Sequence, residues 1–376
     1  MWSVLYYLIV FLFTIFLITG VHELGHYLLA RIFGIKVLRF SIGFGKSLGK
    51  LVDKRGTEYQ LALIPIGGYV KLLDSREGPV APQELPDAFD KRPCYQRFFV
   101  LIAGPAFNFL LAILAFWLIF IHGVTYVKPI VGEVAPHSLA ANAHIQPQDE
   151  IVAINHHAIL GWTSVAIALI REYGSAGDLI IAVKEAKTKK ITQHTINIKK
   201  GAWQLDKLRP NIIKSMGISP YIPVEIASRK DKKMVWPPAM LQTTHYTIIQ
   251  ALAKAINETN YLITFNSIVI YKMLTGAISW HGLGGPISIF QAAANAAEYG
   301  FIIYLNFIAL ISISIGLLNL LPIPGLDGAQ IIYLLYELIR GRPVSVAAQL
   351  LAFRIGAILL FILMLQALLS DLARLM

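Results

Sequence analysis

The sequence predicts an α-helical polytopic membrane protein with four transmembrane spans, membrane-associated β-hairpins and an inserted small β-rich domain. Of its 376 residues, 56% are apolar and only 15% are charged, whereas an ordinary soluble domain carries about 25% charged residues. Four stretches almost without charge account for the excess: residues 1–21, 98–121, 301–321 and 355–370. Three are long enough to cross roughly 30 Å of hydrocarbon as helices. The fourth is short, and we expect Arg354 at its edge to extend it by reaching the interface.

This composition excludes a soluble enzyme, a secreted disulfide scaffold and a nucleic-acid factor. The single cysteine, Cys94, can form neither an intrachain disulfide nor a four-cysteine metal site. We attribute the net charge of +11 to loops that face anionic lipid, so no nucleic-acid partner is expected. The first span lacks a basic leading segment and a small-residue cleavage site, so we expect it to be retained.

The distribution of basic residues predicts the orientation in the membrane. Residues 31–97 hold 12 Lys and Arg in 67 positions, whereas residues 122–300 hold 17 in 179 and the first thirty hold none. Because cytoplasmic loops are enriched in Lys and Arg, residues 31–97 and 322–354 are predicted to be cytoplasmic. Both termini and residues 122–300 would then face outside.

The polar segments between the spans have distinct patterns. Residues 31–97 are β-patterned with glycines at turns, which predicts a pair of hairpins. Within the β-rich residues 124–200, the stretch 132–162 resembles a PDZ domain, although another small β-sandwich remains an alternative. Residues 239–275, after Pro237-Pro238, are predicted to form an amphipathic helix at the outer leaflet.

These patterns divide the chain into seven predicted segments. They are the first span (1–30), the β-hairpin region (31–97), the second span (98–121), the extracytoplasmic PDZ-like domain (122–236), the amphipathic helix and gating segment (237–300), the third span (301–328), and a connection with the fourth span (329–376).

The most specific signal is the motif His22-Glu23-x-x-His26 in the first span. Positions i and i+4 share one face of a helix, so both imidazoles can bind one zinc ion while Glu23 acts as general base. With this chain's composition the motif arises by chance with a probability of roughly 0.8%. The alternative is a set of polar side chains that reach the interface from a helix end.

A catalytic zinc ion needs a third protein ligand, and the candidate is Asp327. The first and third spans run in the same predicted direction, and Pro322, Pro324 and Gly325 interrupt the third span, so both sites end at a similar depth near the cytoplasmic side. Broken helices are tolerated at such depth where they line a wet cavity. The alternative role for Asp327 is an interfacial helix cap.

Several further motifs accompany these residues. They are Ser41-Ile42-Gly43-Phe44-Gly45, Pro65-Ile66-Gly67-Gly68-Tyr69-Val70, Ala103-Gly104-Pro105 with Asn108, Gly285-Pro286-Ile287, and Asn319 with Leu326-Asp327-Gly328. Together with the histidine motif they cover nearly the whole chain in order and resemble the bacterial site-2 protease family of intramembrane zinc metalloproteases.

The resemblance implies one zinc ion (Zn2+) per chain, bound by His22, His26 and Asp327, with Glu23 as the catalytic base. It also implies that Asn319 contacts substrate near the active site. By the same resemblance, a membrane-embedded hairpin containing Gly43, Phe44 and Gly45 binds an extended substrate strand. An edge strand can hold an unwound segment through its free backbone groups, which agrees with that role; a plain glycine-rich turn is the alternative.

The resemblance further implies a multi-pass protein of the bacterial inner membrane, with the PDZ-like domain in the periplasm and the active site near the cytoplasmic side. Its partners would be the lipid bilayer and transmembrane substrates, such as a trimmed anti-sigma factor and signal-peptide remnants. Two departures stand out. About 115 residues leave room for one PDZ-like domain where close relatives have two, and Gln330 stands where relatives have His.

Two other classes of function remain as alternatives at the level of sequence. A membrane scaffold or chaperone could use the PDZ-like domain to bind peptide tails without cleavage. A transporter would show an inverted repeat or a second pair of broken helices, and neither pattern is visible in the sequence.

Overall fold

The computed structural model describes residues 2–199, 203–205, 211–223, 236–278 and 284–375. Its helices are α1 (Trp2–Ile32), α2 (Cys94–His122), α3 (Leu139–Asn142), α4 (Trp162–Glu172), α5 (Ile212–Ser215), α6 (Ile248–Leu274), α7 (Pro286–Glu298), α8 (Phe301–Asn319), α9 (Asp327–Arg340) and α10 (Val346–Leu375). Its strands are β1 (Val37–Val52), β2 (Glu58–Leu72), β3 (Val124–Val127), β4 (Val131–Val134), β5 (Glu150–Ile154), β6 (His157–Ala158), β7 (Gly177–Lys184), β8 (Ile191–Ile198), β9 (Ile218–Pro220) and β10 (Leu241–Thr244).

Four helices of the described chain are long and apolar enough to cross a membrane, which confirms the predicted number of spans. They comprise Leu5–Ile32, Cys94–His122, Phe301–Asn319 and Val346–Ala373. The fourth span extends beyond its charge-free stretch, as expected, because its helix has 28 residues and continues through Arg354. A single charge does not end a helix, since Arg is a good helix former whose long side chain can reach polar surroundings.

Residues 31–97, where the sequence predicts a pair of hairpins, contain two long strands, β1 and β2, which pair with each other in one antiparallel sheet. Phe40 in β1 pairs with Val70 on one side and with Tyr59 on the other, so the first half of β1 lies inside the sheet. Gly43 and Gly45, at φ of 91° and 86°, allow β1 to bend between its two halves. The second half of β2 is an edge: no strand in the described part of the chain pairs with its other side.

The chain divides into two compact units. One comprises residues 1–120, 248–263 and 283–376, and the other comprises residues 121–247 and 264–282. The first contains the four spans and the β1–β2 sheet.

The second unit contains the β-rich domain expected from the sequence. Its four-stranded sheet has the order β6-β5-β7-β8, and a separate pair is formed by β4 and β9. The four-stranded sheet, the β4–β9 pair and α4 pack around a common core, in which Ile151, Leu169 and Ile181 are each 1% exposed. Residues 224–235, near the predicted end of this domain, lie outside the described part of the chain.

The amphipathic helix expected over 239–275 begins at Ile248, because Leu241–Thr244 pairs as β10 with β3. Long-range strand pairing here outweighs local helical spacing, which is a common outcome for short segments. The connection 322–354, for which no secondary structure is predicted from the sequence, contains α9 at Asp327–Arg340.

Candidate active site

Three sequence-predicted ligands converge at the crossing of α1 and the start of α9. The Nε2 atoms of His22 and His26 lie 3.2 Å apart. Oδ2 of Asp327 lies 3.1 Å from the first and 3.4 Å from the second. His22 and His26 are 7% and 9% exposed, so both imidazole rings are buried. The three atoms lie close enough together to hold one metal ion.

The spacing and chemistry of this cluster fit zinc. A tetrahedral ion with bonds of about 2.0–2.1 Å separates its ligand atoms by roughly 3.3 Å. Oδ2 of Asp327 is buried and has no donor with hydrogen-bond geometry among the residues that the structure describes. Two imidazoles and one carboxylate are a typical donor set for a catalytic zinc ion. Asp327 thus lies beside the two histidines, as its predicted depth in the membrane indicates.

One face of α2 forms the wall behind the two histidines. Val100, Gly104 and Asn108 are spaced four residues apart, so they share a face of this helix. The carbonyl oxygen of Val100 lies 2.7 Å from Nδ1 of His26. A carbonyl only accepts hydrogen bonds, so this Nδ1 carries a proton, and in the neutral ring the lone pair of His26 is on Nε2.

Glycines allow the backbones to approach the cluster. A Cβ on Gly104 would lie 2.7 Å from Nε2 of His22 and nearer still to that of His26. A Cβ on Gly25 would lie 2.8 Å from the carbonyl carbon of Ala103, so α1 and α2 are in contact beside the histidines. Gly328, which follows Asp327, has equally little space, because an added Cβ would lie 2.6 Å from the carbonyl carbon of Leu320.

A cavity of about 450 Å³ contains the cluster. Glu23 and Asn319 line it, as do Phe44 and the edge segment Gly67–Val70 of β2. The Glu23 side chain lies against this edge, since a Cβ on Gly68 would be 2.8 Å from its Cγ. The cavity thus combines three candidate metal-ligand atoms, the carboxyl group of Glu23 and a strand edge.

The predicted Gly43-Phe44-Gly45 motif reaches the cavity only through Phe44. The Phe44 ring stacks on Tyr69, with centroids 6.0 Å apart. Gly43 and Gly45 do not line the cavity; a Cβ on Gly43 would lie 2.9 Å from the carbonyl oxygen of Ile64. These two glycines shape the bend of β1.

Comparison with known proteins identifies the family. A model of peptidase family M50 matches residues 10–363. The regulator of sigma E protease of Haemophilus influenzae is 33% identical over 97% of this chain and 98% of its own length. The regulator of sigma-E protease RseP of Escherichia coli K12 is 33% identical over 100% of both chains. The chain belongs to peptidase family M50.

Membership of family M50 confirms the resemblance to site-2 proteases. The M50 family consists of zinc-dependent membrane proteases, so the chain is a zinc-dependent protease of the membrane. The comparisons support this function and not the scaffold alternative.

The M50 relatives are longer than this chain. The Escherichia coli alignment covers 453 positions, 77 more than the 376 residues of this chain. A shorter chain agrees with the expectation of one PDZ-like domain in place of two. Gln330 lines two cavities beside Arg76 and is absent from the lining of the ligand cavity. The departure that the resemblance implied at Gln330 therefore lies outside the immediate surroundings of the candidate ligands.

Sequence reasoning assigned no role to Val100 or Asn108 and quoted Gly104 only as part of a motif. The signal that could have found them is the spacing of four residues on α2, which matches the spacing of His22 and His26 on the facing helix. Gly67 and Gly68 were also quoted without a role, although they form the strand edge at the cavity.

Proposed function

We propose that His22, His26 and Asp327 bind one zinc ion and that Glu23 is the general base for hydrolysis of a peptide bond within a transmembrane segment. The observation that carries this proposal is the convergence of two imidazoles and a carboxylate, 3.1–3.4 Å apart, beside Glu23 in one cavity. For this reaction the cavity has to admit both a water molecule and the scissile peptide bond, within a protein that has four candidate membrane spans.

Zinc, when bound, supplies Lewis-acid activation of water and of the scissile carbonyl group. Glu23 accepts a proton from the attacking water as its oxygen bonds to the carbonyl carbon. The same carboxyl group then gives a proton to the departing nitrogen as the C–N bond breaks, which restores the base. The side-chain amide of Asn319, in the same cavity, donates a hydrogen bond to the oxygen that gains negative charge.

The substrate has to be extended before it can be cut, because a transmembrane helix has its carbonyl groups engaged in hydrogen bonds. We propose that an unwound segment pairs with the edge of β2 at Gly67–Val70, by strand addition. Phe44 then lies beside the substrate, while Gly43 and Gly45 act by shaping β1.

The natural substrates are proposed to be single-span proteins with a cytoplasmic N-terminus. Regulators of sigma E protease are the named relatives, which supports a trimmed anti-sigma factor as a substrate. Signal-peptide remnants are a second proposed class. The density of Lys and Arg in residues 31–97 supports a cytoplasmic active-site end and a periplasmic PDZ-like domain in the inner membrane.

The roles of the periplasmic segments belong to the same proposal. The PDZ-like domain excludes substrates with bulky outer domains, so that cleavage waits for prior trimming. Residues 237–300, which include α6 and α7, control access to the active site.

The test compares the purified wild type with Glu23→Gln in detergent. Each is measured for zinc stoichiometry and for cleavage of the transmembrane segment of a trimmed anti-sigma factor. We expect one zinc ion per chain in both proteins and cleavage by the wild type alone. Glu77→Gln is the matched control, since this carboxyl is exposed and lies outside the ligand cavity. A wild type without zinc would refute the proposal, and cleavage by Glu23→Gln at the wild-type rate would refute the role of Glu23.

A further inference from the structure

Each histidine ligand has a second ring nitrogen whose partner decides which nitrogen is available for metal. A neutral imidazole carries one proton, so Nε2 can bind a cation only if the proton is on Nδ1. In His26 the carbonyl oxygen of Val100 enforces this arrangement at 2.7 Å. The corresponding neighbour of His22 is the side-chain amide of Asn108, whose Nδ2 lies 3.3 Å from Nδ1.

The amide of Asn108 can face His22 in two ways with different consequences. With Nδ2 towards the ring, Nδ1 must accept and the ring proton is on Nε2, which then cannot be a ligand. With Oδ1 towards the ring, Nδ1 donates and the lone pair of Nε2 faces the cluster. The two orientations have the same shape, because the amide oxygen and nitrogen are nearly equal in size.

We propose that Asn108 is a positioning residue that presents Oδ1 to the Nδ1–H of His22 and so holds Nε2 ready for zinc. This inference rests on the proposed function, in which His22 is a ligand. It is carried by a second observation: Oδ1 of Asn108 is buried and has no hydrogen-bond partner within the described chain. A half-turn of the amide pairs this atom with the ring.

Neighbouring residues fix the backbone of Asn108, so only the orientation of its side-chain amide differs between the two arrangements. Its carbonyl oxygen accepts a hydrogen bond of 2.8 Å from Oγ of Ser312. A Cβ on Gly316 would lie 3.2 Å from the Cβ of Asn108, so α2 and α8 are tightly packed here. Asn108 is 0% exposed.

The α2 helix would thus set the tautomer of both ligands. Val100 acts on His26 through its main chain, and Asn108 acts on His22 through its side chain. Outer partners of metal-binding histidines fix the ring orientation, and their loss typically lowers metal affinity or activity by about 10- to 100-fold.

The test uses two substitutions in the full-length purified protein that keep the number of side-chain heavy atoms of asparagine. Asn108→Asp keeps an acceptor, whereas Asn108→Leu removes it and is bulkier. Zinc affinity is measured by competition with a chromophoric chelator. We expect affinity within about threefold of wild type for Asp and a loss of about 10- to 100-fold for Leu. A purely structural role predicts a loss for both variants, since leucine overpacks the space and a carboxylate is costly to bury.

A second measurement requires no variant. In zinc-loaded protein with 15N-labelled histidine, we expect the His22 signals to show a protonated Nδ1 and a metal-bound Nε2. An unprotonated Nδ1, or wild-type zinc affinity in Asn108→Leu, would overturn this inference while leaving zinc binding intact. A wild type that binds no zinc would instead overturn the proposed function, and this inference with it.

Discussion

The α-carbon of Gly104 lies so close to the ring of His22 that an added Cβ would stand 2.7 Å from Nε2. Glycine at this position on α2 is therefore what allows the two imidazoles of α1 to turn their Nε2 atoms towards Asp327. The candidate metal site therefore depends on the absence of a side chain at Gly104 on α2 as well as on the two histidines of α1.

We expect Gly104→Ala to weaken zinc binding by about 10- to 100-fold, because overpacking a rigid site costs about 1–3 kcal/mol. The measurement is zinc affinity by chelator competition. Gly49→Ala is the matched control, since a Cβ at Gly49 meets nothing within 4 Å. Unchanged affinity in Gly104→Ala would show that α1 and α2 can separate without disturbing the ligands.

Asp371, near the end of α10, caps the start of α7. Its carboxylate accepts hydrogen bonds of 3.0 Å from the backbone amides of Gly285, Ile287 and Ser288, and it also contacts the Ser288 hydroxyl. We expect Asp371→Ala to lower the free energy of unfolding by about 2–4 kcal/mol, because buried donors lose their acceptor. Ser288→Ala, which leaves the backbone amides paired, should cost about 1 kcal/mol or less.

Hydrogen exchange of the amides at positions 285, 287 and 288 is the direct measurement for Asp371. Their protection should fall in Asp371→Ala and persist in Ser288→Ala. Protection that survives in both variants would mean that another acceptor replaces the carboxylate.

Arg97 and Glu337 form a two-pronged ion pair between α2 and α9, with N–O distances of 2.6 and 3.0 Å. The side chain of Arg97 is 6% exposed and that of Glu337 is 22% exposed. We expect Glu337→Gln to lower the free energy of unfolding by about 2–3 kcal/mol, because it leaves a buried guanidinium without its counter-charge. The measurement is equilibrium unfolding in mixed detergent micelles.

The double variant Arg97→Met with Glu337→Leu provides the control for this ion pair. We expect it to be more stable than Glu337→Gln, since a well-packed apolar pair often replaces a buried ion pair at little cost. A double variant that is less stable would show that the pair contributes net stability.

The turn around Asp90 should be acid-sensitive. Burial raises the pKa of the Asp90 carboxyl, but hydrogen bonds from the hydroxyl and amide of Ser75, together with Lys91, outweigh it and lower the pKa to about 2. This pKa is below the unfolded value of about 3.9. The ionised carboxylate therefore contributes roughly 2 kcal/mol to the free energy of unfolding above pH 4, and this contribution is lost as the pH falls from about 4 to 2.

The measurement for Asp90 is the rate of limited proteolysis by pepsin across residues 74–91 as a function of pH. The wild type should become more susceptible as the pH falls from 4 to 2. Asp90→Asn should be more susceptible than wild type at pH 4 and should converge with it near pH 2. A constant difference between the two proteins over this range would contradict the assigned pKa.

Much of this protein follows from its sequence because the relevant signals are local. The four spans need only enough consecutive apolar residues, and the pairing of His22 with His26 needs only one turn of helix. Asp327 could be matched to them because the depth of a residue in the membrane can be estimated by counting residues along each span. The breaks at Pro322 and Pro324 were equally readable, since proline cannot continue a helix.

Tertiary structure decided the features that depend on contacts between distant segments. Val100 and Asn108 contact the histidines from another helix, more than 70 residues along the chain. The edge of β2 at the cavity depends on which strands pair, and β10 exists because residues 241–244 meet β3. Sequence determined which residues could bind a metal, whereas packing between helices and strands determined how each ligand is oriented, because orientation depends on partners that no local pattern specifies.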